Sequence, residues 1–221
     1  MNVTESIINR KSVRSFLKKA AEREKIEHIL NTAKHAPSGV NMQPWIVSVV
    51  SKDTKKTIET KMEELFVSGC EENMDYNYYP LQWVEPYKTR RKETGLLMYK
   101  TLDIKREDKE KQLEQWRANY RAFDAPVVLY FFIDENLEKG SYLDYGMFLQ
   151  SVMLSAVEVG LGTCTQAALA QYPDVVKEQL NIPENFKLLC GMALGYEDKK
   201  AIINSYRTSR VDLEEFVSFH E

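Results

Sequence analysis

A chain of 221 residues, 43% hydrophobic and 29% charged, has the composition of a folded protein with length enough for one sizeable core. Its formal net charge of -3 excludes binding to nucleic acid through bulk positive charge, so each basic cluster has to be read as a local site. Cys70, Cys164 and Cys190 are odd in number and form no CxxC, while His28, His35 and His220 show no ligand spacing, so a structural metal is not expected and a reducing cytoplasm is. The first residues carry no basic-then-apolar leader pattern. The longest apolar stretch, 147–161, is broken by Gln150, Ser151, Ser155 and Glu158, so a soluble protein is expected.

Taken in chain order, Thr4 is expected to cap a short helix over 4–10. Arg10, Lys11, Ser12, Val13 and Arg14 follow, three cations and a hydroxyl without helical spacing and with no acid in the next seven positions. On the residues alone this segment is either a solvated basic patch or a site for an anion brought from elsewhere. Ile26, Ile29, Leu30 and Ala33 form the apolar stripe of a helix over 22–35, which Pro37-Ser38-Gly39 ends. The β-rich run 45–50 reads as a strand, and Asp53 is expected to cap a helix to about 66 with Ile58, Met62 and Leu65 on one side.

Residues 70–123 read as an elaboration on the core, rich in aromatics (Tyr76, Tyr78, Tyr79, Trp83, Trp116, Tyr120) and holding two helices, near 86–102 and 106–121. The aromatics read as packing between insertion and core or as a lid. Lys88, Arg90, Arg91 and Lys92 read as a solvated helix face, or as a cluster that attracts the phosphates of a nicotinamide donor. The apolar run 125–133 is expected to be a central strand, with Pro126 tolerated only at its start. Residues 141–159, with Leu143, Met147, Phe148, Val152 and Val157, have no wide polar face, so this helix is either the centre of the core or half of a subunit interface. A short strand at 161–165, a helix at 175–180, a strand at 187–194 and a last helix at 212–219 complete an α+β order on one domain spanning 1–221. No glycine-rich nucleotide loop stands in a strand-to-helix context.

Four segments in order, Arg10-Lys11-Ser12-Val13-Arg14, then Ala36-Pro37-Ser38-Gly39-Val40-Asn41-Met42-Gln43-Pro44-Trp45, then Gly160-Leu161-Gly162-Thr163-Cys164-Thr165-Gln166-Ala167-Ala168, and finally Arg207-Thr208-Ser209-Arg210, resemble the motifs of the FMN-dependent nitroreductase family. Glu85-Pro86-Tyr87 with Arg90-Arg91, the segment Asp144-Tyr145-Gly146-Met147-Phe148-Leu149-Gln150 and Cys190-Gly191-Met192-Ala193-Leu194-Gly195-Tyr196 further resemble its nitrobenzoate-reductase branch. The resemblance implies a central mixed β-sheet flanked by helices, an intertwined homodimer, FMN as cofactor, NADH or NADPH as electron donor, and a nitroaromatic or quinone acceptor. It implies a phosphate held by Arg10, Lys11, Ser12, Arg207 and Arg210, and a cation, Arg14, at the pyrimidine end of the flavin. Asn119 would add a hydrogen bond at that edge, with Arg121 standing in for a lysine common in the family. Backbone groups of Gln166, Ala167 and Ala168 would face the flavin N5, and Pro37, Ser38, Gly39 and Asn41 would reach it from the partner subunit. No side chain is expected to act as nucleophile or acid, because the cofactor carries the chemistry. Two other readings stay open: a reductive dehalogenase of the same fold, since Ala36-Pro37-Ser38-Gly39 also resembles iodotyrosine deiodinases, and a flavin-binding module without turnover.

Overall fold

The computed structural model describes residues 2–221. Its centre is a sheet of four strands, β1 (Ile46–Ser51), β2 (Val127–Asp134), β3 (Gly162–Gln166) and β4 (Phe186–Gly195), in the order β1-β2-β4-β3. As the apolar run predicts, β2 is central, and Val127 through Ile133 are all buried. Alternation along it sends Val128, Tyr130 and Phe132 to one face and Val127, Leu129, Phe131 and Ile133 to the other. The first face packs with Ile58 and Met62 of α3 (Lys52–Val67), Tyr120 of α5 (Lys109–Tyr120) and Val176 of α7 (Pro173–Leu180). The second packs with Ile26 and Ile29 of α2 (Arg23–Ala33) and Tyr145, Phe148 and Val152 of α6 (Lys139–Glu158).

All pairings among the four strands are antiparallel, so the expected mixed character reduces to one parallel bridge, Ser12 to Thr163, at the β3 edge. That bridge matters for function. It lays the basic segment along β3, with the Val13 amide donating to the Thr163 carbonyl at 2.9 Å. Gly162 permits the approach, since a Cβ there would come within 2.7 Å of Val13 Cγ2.

Helix ends account for most differences from the expected elements. Asn2, not Thr4, caps α1 (Val3–Asn9), because its side chain accepts from the Glu5 amide while Glu5 accepts from the Asn2 amide, a reciprocal box that Thr4 cannot make with the same partner. Asp53 lies inside the first turn of α3, where its charge meets the positive helix end, and the preceding Ser51 takes the cap position. The helix expected over 212–219 is a single 3-10 turn, Leu213–Glu215. A segment this short cannot offset helix nucleation without burying an apolar face, and Leu213, Phe216 and Phe219 all remain exposed. In the elaboration, α5 packs on α3, whereas α4 (Tyr87–Thr101) buries no residue.

The two ends of the chain are joined by Asn204. It is 3% exposed and lies in a 3-10 turn, Ile202–Asn204, just past the sheet. Its Oδ1 accepts from the Arg14 amide at 2.7 Å, its Nδ2 donates to the carbonyls of Ser15 (2.8 Å) and Asp198 (3.0 Å), and its own carbonyl accepts from Lys11 Nζ at 2.7 Å. Replacing Asn204 by alanine leaves the Arg14 amide without its acceptor and takes one donor each from the Ser15 and Asp198 carbonyls, which keep the Asp198 and Ala201 amides, and the Asn204→Ala variant is expected to lose about 1–3 kcal/mol of stability in urea unfolding. A loss below about 0.5 kcal/mol would mean that water replaces the side chain at no cost.

Candidate functional site

The joining of the two chain ends brings Arg10, Lys11, Ser12 and Arg14 together with Tyr206, Arg207, Thr208 and Arg210 around a cavity of about 540 Å³. No Asp or Glu lines it. Arg10 is half-buried, and among the described residues its side chain has neither an ion pair nor a hydrogen bond. Burial lowers the Arg10 pKa from its ordinary value, and the neighbouring charges of Arg210 and Arg207 lower it further. Cations pressed together without a counter-charge are an unfavourable arrangement that a bound polyanion relieves.

The four arginines do not stand alike. Arg210 turns one guanidinium nitrogen onto its own loop, to the Thr208 hydroxyl (2.9 Å) and the Ser209 carbonyl (2.8 Å). Arg207 is more committed: it donates to the carbonyls of Asn9 (3.2 Å), Arg10 (2.9 Å) and Ile8, the open C-terminal end of α1. Arg207 thus builds the wall and the positive field of the cavity, in place of the freely presented donor that the sequence suggests. Lys11 is also corrected. Its ammonium pairs with Glu197 at 2.7 Å, an acid far away in sequence that the local search for a counter-charge did not reach.

Arg14 occupies a separate position. Together with Thr94 and Tyr206 it lines both this cavity and a second one of about 680 Å³, whose walls include Tyr79, Tyr99, Trp116, Asn119 and Phe123. Its guanidinium lies 5.7 Å from the Tyr206 ring centroid. Neither Tyr206 nor Asn204 was singled out by sequence reasoning. Their only signal was position, immediately before the Arg207-Thr208-Ser209-Arg210 motif.

Asn119 lines the second cavity, but its amide nitrogen donates to the carbonyls of Gln115 (3.1 Å) and Trp116 (3.3 Å) on its own helix. Gln166, 5% exposed at the end of β3, donates to the Asn119 carbonyl at 3.0 Å, and its Oε1 has no partner among the described residues. Ala167 and Ala168 open a 3-10 turn whose first internal donor is Ala170, so their amides are not used within the turn. Arg121 does not face either cavity. It is held by Glu63 (2.8 Å) and Glu114 (2.5 Å) on the surface of α3 and α5, so it does not replace a flavin-side lysine. Cys164 is buried, and burial raises its thiol pKa, which suits a small apolar packing group better than a redox centre.

Pro37, Ser38, Gly39 and Asn41 line neither cavity of this chain. They form a projecting loop in which Val40, Asn41 and Gln43 have positive φ (46, 59 and 50°) and Val40 is 96% exposed. A β-branched residue in that region is strained. The loop is held by the buried carboxylate of Asp144, which accepts from the Gly39 amide at 3.1 Å, and by the Ser38 hydroxyl, which accepts from the Gln43 amide at 3.0 Å.

The donor set fits a flavin mononucleotide: Arg10, Ser12 and Arg210 at a phosphate, with Arg14 between that group and an aromatic-walled cavity of a size suited to a ring system. The chain is 35% identical over 221 residues to nitrobenzene nitroreductase of Ectopseudomonas oleovorans, covering 99% of this chain and 97% of the relative. It is 34% identical over 214 residues to 4-nitrobenzoate reductase of Pseudomonas putida, covering 96% and 93%. Among solved structures, the FMN and NADPH-dependent nitroreductase NfnB from Sphigopyxis sp. strain HMH superposes over 100% of both chains with a TM-score of 0.97 at 33% identity. The nitroreductase family pattern spans residues 7–196, from the end of α1 past the last strand, and the chain belongs to the nitroreductase family.

Proposed function

We propose that this protein is an FMN-dependent oxidoreductase that passes electrons from NADH or NADPH to nitroaromatic compounds or quinones. The observation that carries this reading is the acid-free cavity where arginines from both ends of the chain meet, opening through Arg14 onto aromatic walls. When bound, FMN supplies the redox chemistry, accepting two electrons from the nicotinamide donor and releasing two to the acceptor in a ping-pong order. For a nitro group the net change is ArNO2 + NAD(P)H + H+ → ArNO + NAD(P)+ + H2O, and for a quinone it is Q + NAD(P)H + H+ → QH2 + NAD(P)+. Solvent supplies the proton, and no side chain acts as acid or nucleophile.

The chain's own residues bind and orient. Arg10, Ser12 and Arg210 hold the phosphate, while Arg207 and Lys11 secure the segments that present them. Arg14 places a cation at the ring end of the site, where it stabilises added negative charge. Asn119 lines the ring cavity and Gln166 braces it through the Asn119 carbonyl, whereas Gln166, Ala167 and Ala168 themselves line neither cavity. Trp116, Phe123, Tyr99 and Tyr206 shape the space that admits a planar acceptor and excludes water.

The site is completed by a second copy of the chain. Leu143 (74% exposed) and Met147 (40%) lie on the outer face of α6, and Val40, Phe216 and Phe219 stand out from the same chain, apolar side chains that a partner copy would cover. Across such an interface the loop of Pro37, Ser38, Gly39 and Asn41 reaches the partner's flavin, which gives its strain a purpose.

The direct test is anaerobic. Purified protein is expected to be yellow, to sediment as a dimer, to bleach on addition of NADPH or NADH, and to regain colour with a nitroaromatic. A colourless protein that takes up no FMN would contradict this reading. Arg10→Ala is expected to lose FMN on gel filtration, and Lys11→Met to weaken retention less, because Lys11 is already neutralised by Glu197 and acts only through the segment it secures. Arg14→Ala is expected to keep FMN with a lower reduction potential, by on the order of 30 mV for each 1.4 kcal/mol lost. Equal flavin loss in Arg10→Ala and Arg14→Ala, with no change of potential, would contradict this division of roles.

A further inference from the structure

The basic run on α4 is not used by the reading above. Lys88, Arg91 and Lys92 stand at i, i+3 and i+4, so they share one side of the helix. All three line the 680 Å³ cavity, opposite Gln115, Trp116 and Asn119 of α5, and no Asp or Glu lines it. Among the described residues none of the three has an ion pair. Arg90, which points elsewhere, pairs with Glu215 at 3.4 Å. Arg91 instead lies over the Trp83 ring, 4.9 Å from its centroid, a cation–π contact that leaves its charge without a carboxylate partner. A solvated helix face has no reason to turn three unpaired cations onto one acid-free cavity and its one paired cation away from it.

We propose that Lys88, Arg91 and Lys92 form the subsite for the phosphate groups of the dinucleotide electron donor, a proposal that rests on the nitroreductase reading of the same site. The cavity joins the arginine clamp through Arg14, Thr94 and Tyr206. A nicotinamide ring placed against the aromatic walls extends its ribose and phosphates outward, and α4 is the cationic surface on that path. Two phosphate sources share this chemistry, the pyrophosphate common to both donors and the 2′-phosphate found only in NADPH. Because the three side chains are exposed, their attraction is long-ranged and screened by salt, with a Debye length of about 8 Å at physiological ionic strength. Donor capture at low salt therefore depends on them, whereas stacking over the ring does not. Since α4 buries no residue, substitutions on this face leave the core intact.

The test compares the holoenzyme with the triple variant Lys88→Ala, Arg91→Ala, Lys92→Ala, and with Arg90→Ala as a control. Flavin content is measured first. Anaerobic stopped-flow reduction then uses NADPH, NADH and the phosphate-free donor 1-benzyl-1,4-dihydronicotinamide. In the triple variant the apparent Kd for NADPH is expected to rise at least about tenfold, and its salt dependence to flatten. Reduction by the phosphate-free donor is expected to be unchanged, and Arg90→Ala to behave as wild type. A rise for NADH of the same size assigns the cluster to the pyrophosphate, and a rise for NADPH alone assigns it to the 2′-phosphate. Either result supports the proposal. It is overturned if the Kd of both dinucleotides moves less than twofold, if the phosphate-free donor is weakened equally, or if only the KM of a carboxylate-bearing acceptor changes. Wild-type protein that holds no flavin, or whose flavin none of the three donors reduces, contradicts the proposed function itself and is recognised before any variant is compared.

Discussion

The site depends on one buried amide. Asn204 ties the Arg14 amide, the Ser15 and Asp198 carbonyls and the Lys11 ammonium into a single hydrogen-bonded junction, and so fixes where the two ends of the chain meet. That junction acts together with the Arg207 hydrogen bonds to the Ile8, Asn9 and Arg10 carbonyls to hold Arg10, Arg14, Arg207 and Arg210 around one cavity against their mutual repulsion. The sheet supplies the other half of the constraint. β3 pairs with the basic segment through the Ser12 to Thr163 bridge, and Gly162 lets that segment come close. Charge repulsion is thus opposed by hydrogen bonds already made within the fold, the condition for a site that is ready before its anion arrives.

The sequence was most legible where periodicity and length agree. The run Val127 to Ile133 could be little else than a strand covered on both faces, and the apolar stripe of α2 and the mass of α6 follow from spacing alone. The basic segment was legible as a cluster but not as a partition, because a pairing such as Lys11 with Glu197 joins positions that only the fold brings together. Arg207 shows the same limit: sequence identifies a cation, while the open carbonyls at the end of α1 decide what it does. Asn204 carried no compositional signal, since one asparagine before a basic motif resembles any loop residue. The segment past Asp212 failed as a helix for a different reason. Its apolar residues have no surface of their own chain to pack on.

That absence is consistent with the outward faces elsewhere. Leu143 and Met147 on α6, the strained loop around Val40 and the tail aromatics are all exposed on the single chain, and the proposed homodimer would cover them together. In that arrangement Asp144 gains significance, because its hydrogen bond to Gly39 positions a loop that serves the neighbouring site. The elaboration then divides into two parts, α5 fixed to the core through α3, and α4 resting on the surface with its cations over the cavity.

Recognition of a phosphate by the arginine cavity is what the proposed flavin site stands on. The most direct measurement compares binding of FMN and riboflavin, which differ only in that group, to the apoprotein by fluorescence quenching. With two or more charge-assisted hydrogen bonds of about 1.5–3 kcal/mol each, FMN is predicted to bind at least about 100-fold more tightly than riboflavin. The Arg10→Ala substitution should remove most of that difference. Equal affinity for the two ligands in the wild-type protein would contradict the account.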